Sequence, residues 1–210
     1  MKQEDVKQQD RKQQDVERLL EQSGETYAHE AGIHLEDKPS PLYQLLVLTT
    51  VLSTRISAEI AVAAARELFK GGWRTPRAMA AASWQDLVDV LGRAHYRRYD
   101  ESTATALGEG ANLLIQRWHG DLRRLRQEAD GDPGQIRRLL QEVPRIGPVG
   151  AEIFCREVQG LWEELRPSFD KRALDGAEKN GLPKDPGRLA ALVPSEDLPH
   201  LAAALVRSTL

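Results

Sequence analysis

The sequence predicts an all-α protein built from many short helices. Three observations lead there. No stretch of appreciable length alternates apolar and polar residues, as a half-buried strand would. Apolar residues recur instead at three- and four-residue spacing, the period of a helix with one buried face. Helix punctuation is dense: Ser, Thr or Asp precedes many segments, Pro opens them, and Gly ends several. The composition is compatible with a packed core. Of 210 residues, 40% are hydrophobic, which excludes wholesale disorder. Charged residues make up 29% and nearly cancel, leaving a net charge of −3. That balance does not itself advertise a nucleic-acid partner, so any such claim rests on where the arginines sit.

The elements follow in order. Residues 1–15 are almost wholly Lys, Gln, Glu and Asp, a polar extension that is either a solvent-facing helix or disordered. Val16, Leu19 and Leu20 start an apolar stripe that stops near Gly24. Residues 25–38 carry mixed signals and define no element. Ser40 is the expected N-cap of the next helix, with Pro41 at its first position. Leu42, Leu45, Leu46, Val47, Leu48, Val51 and Leu52 are apolar on nearly every face and predict a central, buried helix. Ser57 caps the Ala-rich segment that ends at Gly71-Gly72. Thr75-Pro76 opens a short helix. Ser83 with Asp86 resembles a capping box for a helix ending at Gly92. A long helix covers 98–118, and two amphipathic pieces follow at 121–129 and 134–140. Gly147-Pro148 separates a turn from a helix beginning at Val149. Asp170 is the N-cap of KRALDGAEKNG, and Pro186 and Ser195 open two final helices.

Several chemistries are excluded by their missing motifs. There is no Gly-rich phosphate loop ending in Lys-Ser/Thr, no GxGxxG, no HExxH and no GxSxG. His29 and His34 do not share a helical face, and His95, His119 and His200 are isolated, so no metal site is expected. The single cysteine, Cys155, excludes an intrachain disulfide framework and any Cys-rich zinc or iron–sulfur site made by this chain alone. No apolar run approaches the roughly 20 residues that span a bilayer. The polar N-terminus lacks the apolar stretch of a signal peptide. The expectation is a soluble, cytoplasmic protein without a membrane partner.

The most informative segment is GQIRRLLQEVPRIGPVGAEIFCREV, residues 134–158. It reads helix, tight turn, helix. Ile136, Leu139 and Leu140 line the first helix, and Ile153, Phe154 and Val158 the second. Gly150 and Ala151 are small enough for a close helix contact. The first turn of the second helix presents N–H groups without intrahelical acceptors at the positive end of a helix dipole, which suits a phosphate. Such contacts fix register on a nucleic-acid backbone and carry no sequence information. An ordinary connection between two packed helices would read the same way.

VPRIGPVGAEIF resembles the helix-hairpin-helix motif of the endonuclease III-like DNA glycosylases, which usually read Leu-Pro-Gly-hydrophobic-Gly-x-x-Thr-Ala. The family follows its hairpin with a Gly/Pro-rich loop and an aspartate. Here PSFDKR supplies Asp170 at a similar spacing. Upstream, LLVLTTVLSTRIS is similar to the family's first barrel helix, and TPRAMAAASWQDLVDVLGRAHYRRYDESTATAL to the stretch that follows it. The resemblance spans Pro41 to Leu192 in the right order. There are departures. Arg145 stands at the first hairpin glycine, Val149 at the Schiff-base lysine of bifunctional members, Gly150 at the usual Thr, and Arg55 at the wedge glutamine. The iron–sulfur cysteines have no counterpart.

The resemblance implies a two-lobed fold with a cleft. A helical barrel domain covers 40–165 and includes the hairpin at 134–158; 16–39 plus 166–210 form a second helical domain. It implies a monomeric enzyme of DNA base-excision repair acting on double-stranded DNA. Asp170 would be the catalytic carboxylate that stabilises an oxocarbenium-like sugar or activates water. Without a lysine at 149 the imine route loses its nucleophile. Lys171 points about 100° away from Asp170 on a helix, so strong lyase activity is not expected. Arg145, Ile146, Gly147, Val149, Gly150, Arg55, Arg156 and Lys171 are the candidate DNA contacts, with Arg55 filling the gap left by a flipped base. Tyr96 and Tyr99, with Arg97 and Arg98, are candidates for a base pocket. No cofactor is expected, apart from a monovalent cation at the hairpin. Arg123, Arg124, Arg126, Arg137 and Arg138 are expected to pair with Glu128, Asp130, Asp132 and Glu142. A non-catalytic DNA-structure binder on the same scaffold and an all-α interaction module are the alternatives.

Overall fold

The computed structural model describes the backbone of residues 2–210 and the side chains from residue 12 onward. Among these residues all regular structure is helical. The helices are α1 (Lys2–Ser23), α2 (Tyr27–Glu30), α3 (Pro39–Leu52), α4 (Ala58–Lys70), α5 (Pro76–Ala80), α6 (Trp84–Arg93), α7 (Asp100–Trp118), α8 (Leu122–Glu128), α9 (Pro133–Leu140), α10 (Pro148–Val158), α11 (Lys171–Lys179), α12 (Pro186–Ala190) and α13 (Leu198–Arg207). Short 3-10 turns lie at Glu163–Leu165 and Ser195–Asp197. The polar N-terminal extension is thus helical from residue 2, and residue 1 lies outside the described residues, as do the side chains of residues 1–11. No described helix is long and apolar enough to cross a membrane.

The chain divides into two compact units. A continuous unit comprises Ala28–Phe154, and a discontinuous unit comprises Met1–Tyr27 with Cys155–Leu210. The resemblance implied divisions at 39/40 and 165/166; the two units divide instead at 27/28, inside α2, and at 154/155, inside α10.

In the continuous unit, α3 is the centre. Ten of its residues, Leu42 through Val51, are buried, as its all-round apolar sequence requires. Each fully buried leucine contributes about 1.5–3 kcal/mol. α3 packs against α4, and α7 packs against α5 and α6. Ser57, Thr75, Ser83, Asp121 and Asp132 each accept a backbone N–H at the start of a helix, so these starts obey local capping chemistry. Two boundaries differ from expectation. α3 begins with Pro39 in its first turn after an extended Lys38 without a side-chain cap, and Ser40 Oγ donates to the Arg74 carbonyl at 2.9 Å instead. α6 runs through Gly92 to Arg93. It stops because His95 takes a left-handed backbone (φ 61°). Tyr96 N–H then bonds Leu91 O at 3.0 Å and His95 N–H bonds Gly92 O at 3.1 Å, a Schellman closure.

In the discontinuous unit, α13 packs against α1 and α11. Leu201 through Val206 are buried along it. Gly176 makes the α11–α13 approach possible: a Cβ there would lie 2.0 Å from the Leu205 carbonyl oxygen. Val16, Tyr27, Trp162, Ala173 and Leu189 complete the core, and Cys155 is buried in α10.

Three of the five arginines expected to form surface pairs are paired with residues outside the expected set. Arg123 pairs with Asp121, Arg126 with Asp37 and Arg137 with Glu152. Glu128 and Glu142 both pair with Arg117. These partners come from other elements or from the helix cap, which spacing along one helix does not reveal.

Candidate functional site

Three loops of the continuous unit are tied together by side chains. The α3–α4 loop carries Ser53, Thr54 and Arg55. The α6–α7 loop carries Tyr96 to Tyr99. The α9–α10 turn carries Arg145 to Gly147. Tyr96 joins the first two loops. Its hydroxyl donates to Val51 O at 3.1 Å and lies 2.7 Å from Thr54 Oγ1. Gly150, in the first turn of α10 just after the third loop, packs close to the first: a Cβ at that position would lie 2.5 Å from Ser53 Oγ. Arg145 joins the second and third. Its Nη1 donates to Ser102 Oγ at 2.5 Å, and its guanidinium carbon lies 5.7 Å from the Tyr99 ring centroid. Arg98 lies on that ring too, at 5.4 Å.

The turn itself is held by local chemistry. Ile146 N–H bonds Val143 O at 3.0 Å, and Ala151 N–H closes on Gly147 O at 2.9 Å. Ile146 is buried, so its side chain anchors the turn and does not reach solvent. Val143 packs on α7 at Gly110, where a Cβ would meet Val143 Cγ1 at 3.2 Å. Arg145 has φ 66°, a conformation that costs a residue with a Cβ and suits glycine. Val149, in the first turn of α10, is 68% exposed. The N–H groups of Val149 and Gly150 belong to that turn and have no acceptor within the helix. Arg55, Arg97 and Arg98 are exposed.

Two expectations need correction in the continuous unit: Ile146, expected among the DNA contacts, and Tyr96, expected at a base pocket, are both buried. Tyr96 is fully buried, and burial pushes its hydroxyl pKa up. It braces the loops and forms no open pocket wall. Tyr99 is half-buried under two guanidinium groups. Sequence reasoning missed Ser53, Thr54 and Ser102. Each also bonds a backbone carbonyl three or four residues back, but their cross-loop neighbours Gly150, Tyr96 and Arg145 are far away in the chain, and no spacing signal could have paired them.

Asp170 stands in the discontinuous unit. It is the N-cap of α11, as expected: Oδ1 accepts Ala173 N–H at 2.9 Å. Oδ2 accepts Nη1 of Arg156 in a close ion pair. Arg156, expected among the DNA contacts, is 2% exposed and cannot reach a ligand from the surface; this is a correction. It lies on the inward face of α10, where it is also 5.9 Å from the Tyr27 ring. Arg207 stacks on the same ring at 4.6 Å. Lys171 is exposed and reaches Asp175 at 2.6 Å, one helical turn on.

The residues do not fit an iron–sulfur cluster, since the sequence holds one cysteine and that one is buried. Among the described residues no group of three His, Cys, Asp or Glu could hold a metal ion.

Helices in this order, with a hairpin before a capping aspartate, define an all-α fold of the endonuclease III type. A solved structure with this likeness is a trapped endonuclease III–DNA covalent intermediate, an estranged-adenine complex. The TM-score is 0.51 at 16% identity, over 92% of this chain and 84% of that one. Comparison of the sequence with protein-family models and with curated proteins gives no match.

Proposed function

We propose that this protein is a DNA base-excision glycosylase that removes a damaged or mismatched base from double-stranded DNA by hydrolysis, as a monomer and without strong lyase activity. The observation that carries the reading is the stitched loop cluster, which gathers Arg55, Arg97, Arg98 and the open first turn of α10. The fold likeness adds support, because that neighbour's name places it on DNA. Arg97 and Arg98 suit phosphate contacts, and so do the N–H groups of Val149 and Gly150. Arg55 suits the space left by an extruded base. Asp170 supplies the carboxylate. In the step, the N-glycosidic bond breaks, water oxygen bonds to the anomeric carbon, and the departing base takes a proton. The ion pair with Arg156 and the α11 cap hold the carboxylate in one orientation. Val149 offers no amine, which supports hydrolysis without an imine. A monovalent cation at the hairpin would be held by backbone carbonyls of residues 143–146. Val143 O, already accepting Ile146 N–H, keeps a second lone pair for it.

The test is a panel of duplexes carrying uracil, oxidised, alkylated or mismatched bases, with and without alkaline work-up. Breaks appearing only after alkali are expected. Asp170→Asn should lower them by ~10²-fold or more while duplex binding persists, the size of effect seen when a transition-state charge partner is removed.

One observation favours a second reading, a non-catalytic DNA-structure binder. Both oxygens of Asp170 already accept hydrogen bonds from the protein. Salt-dependent duplex binding with no excision across the panel would select it.

A further inference from the structure

We propose that Arg145 is a positioning residue that locks the hairpin against α7, leaving phosphate contact to its neighbours; this rests on the DNA-binding reading above. Arg145 sits where its backbone is left-handed at φ 66°. Something must repay that conformation in a residue with a Cβ. The side chain does so within the protein. Nη1 donates to Ser102 Oγ at 2.5 Å in the first turn of α7, and the guanidinium lies over the Tyr99 ring. Arg98 covers the same ring, so the tip of the hairpin and the start of α7 form one stack. The charge pattern points the same way. The first turn of α7 carries Asp100 and Glu101 beside Ser102. Two acidic residues thus share the helical turn of the Ser102 that holds this guanidinium, which disfavours a phosphate there, whereas Arg55 has no acidic residue next to it in the chain.

The experiment compares wild type with Ser102→Ala, Arg145→Gly and Arg55→Ala. Two readouts are used: duplex affinity as a function of salt, and amide hydrogen exchange of residues 143–150 in the free protein. Thermal unfolding checks that each variant is folded. Ser102→Ala removes the strut and no positive charge. It should weaken binding by ~5–10-fold, the net loss expected for one solvent-exposed hydrogen bond, with the salt slope unchanged. Arg145→Gly should match it in affinity and also keep the slope. Arg55→Ala should lower the slope by about 1, as a phosphate contact does. Exchange across the turn should rise ~5-fold in Ser102→Ala, which reports the same bond without DNA. A slope lowered by about 1 in Arg145→Gly would overturn the proposal. Unchanged affinity or unchanged exchange in Ser102→Ala would overturn it too. Wild type that binds no duplex at low salt would sink the functional reading alone, and the exchange measurement would still decide whether Arg145 holds the hairpin.

Discussion

Tyr43 and Tyr96 show how single buried groups set the alkaline limit of this protein. Burial pushes both hydroxyl pKa values upward from their ordinary value. The folded state therefore holds these protons more tightly than the unfolded state. Their contribution to stability is complete below about pH 10, the ordinary tyrosine value, and is lost as pH rises above it. Thermal unfolding measured from pH 8 to 11 should show that decline. Tyr96→Phe should soften it and cost about 1 kcal/mol at neutral pH, because the Tyr96 bond to Val51 O is lost, although Thr54 still donates to that oxygen. Asp170 makes a second prediction at this scale. Asp170→Asn keeps a good N-cap. It strips the close partner from a buried guanidinium, which typically costs about 3–5 kcal/mol. The lower end is expected, since Glu157 Oε1 stays 3.9 Å from Arg156 Nε. Melting curves with Asp170→Ala as the comparison would separate the cap from the pair. Asp170 was legible as a cap because its partner Ala173 is three residues away. Arg156 was misread as a surface contact because sequence shows charge but not the face of α10 that carries it.

Helix contacts here depend on missing side-chain atoms. Gly176→Ala would drive a Cβ against the backbone oxygen of Leu205, which cannot swing aside, so α11 and α13 must separate. A loss of about 3 kcal/mol or more is expected from overpacking against backbone. Gly150→Ala clashes with the hydroxyl of Ser53, a side-chain end that can swing aside by giving up its bond to Thr49 O, and otherwise meets Ile146 at 3.4 Å. Its cost should be about 1 kcal/mol, and Ser53→Ala in the same chain should recover part of it. Urea unfolding of the single and double variants tests both statements. The helices themselves were largely legible. Caps at Ser57, Thr75, Ser83 and Asp170 act over three residues, and a sequence displays that range directly. The end of α6 was not, because a left-handed histidine closes it where glycine was the expected stop.

At the scale of the molecule, one unit is assembled from both ends of the chain. α1 lies against α13, whose residues from Leu201 to Val206 are buried. Deleting residues 2–23 should expose that apolar surface, lower the thermal midpoint and raise binding of a hydrophobic dye, measured against the full chain. The division of the chain was only partly legible. Periodicity marks each helix but says nothing of which distant helix covers it. The loop cluster was legible as three separate candidates. Its assembly through Tyr96–Thr54, Gly150–Ser53 and Arg145–Ser102 was not, since each pair is joined by the fold and by no local pattern.

Cys155 gives the discontinuous unit a natural clock. It is the one thiol in the chain and has no exposed surface. A sulfhydryl reagent can modify it only during excursions that unpack α10. Its labelling rate, followed by mass spectrometry, therefore counts those excursions without any engineered probe.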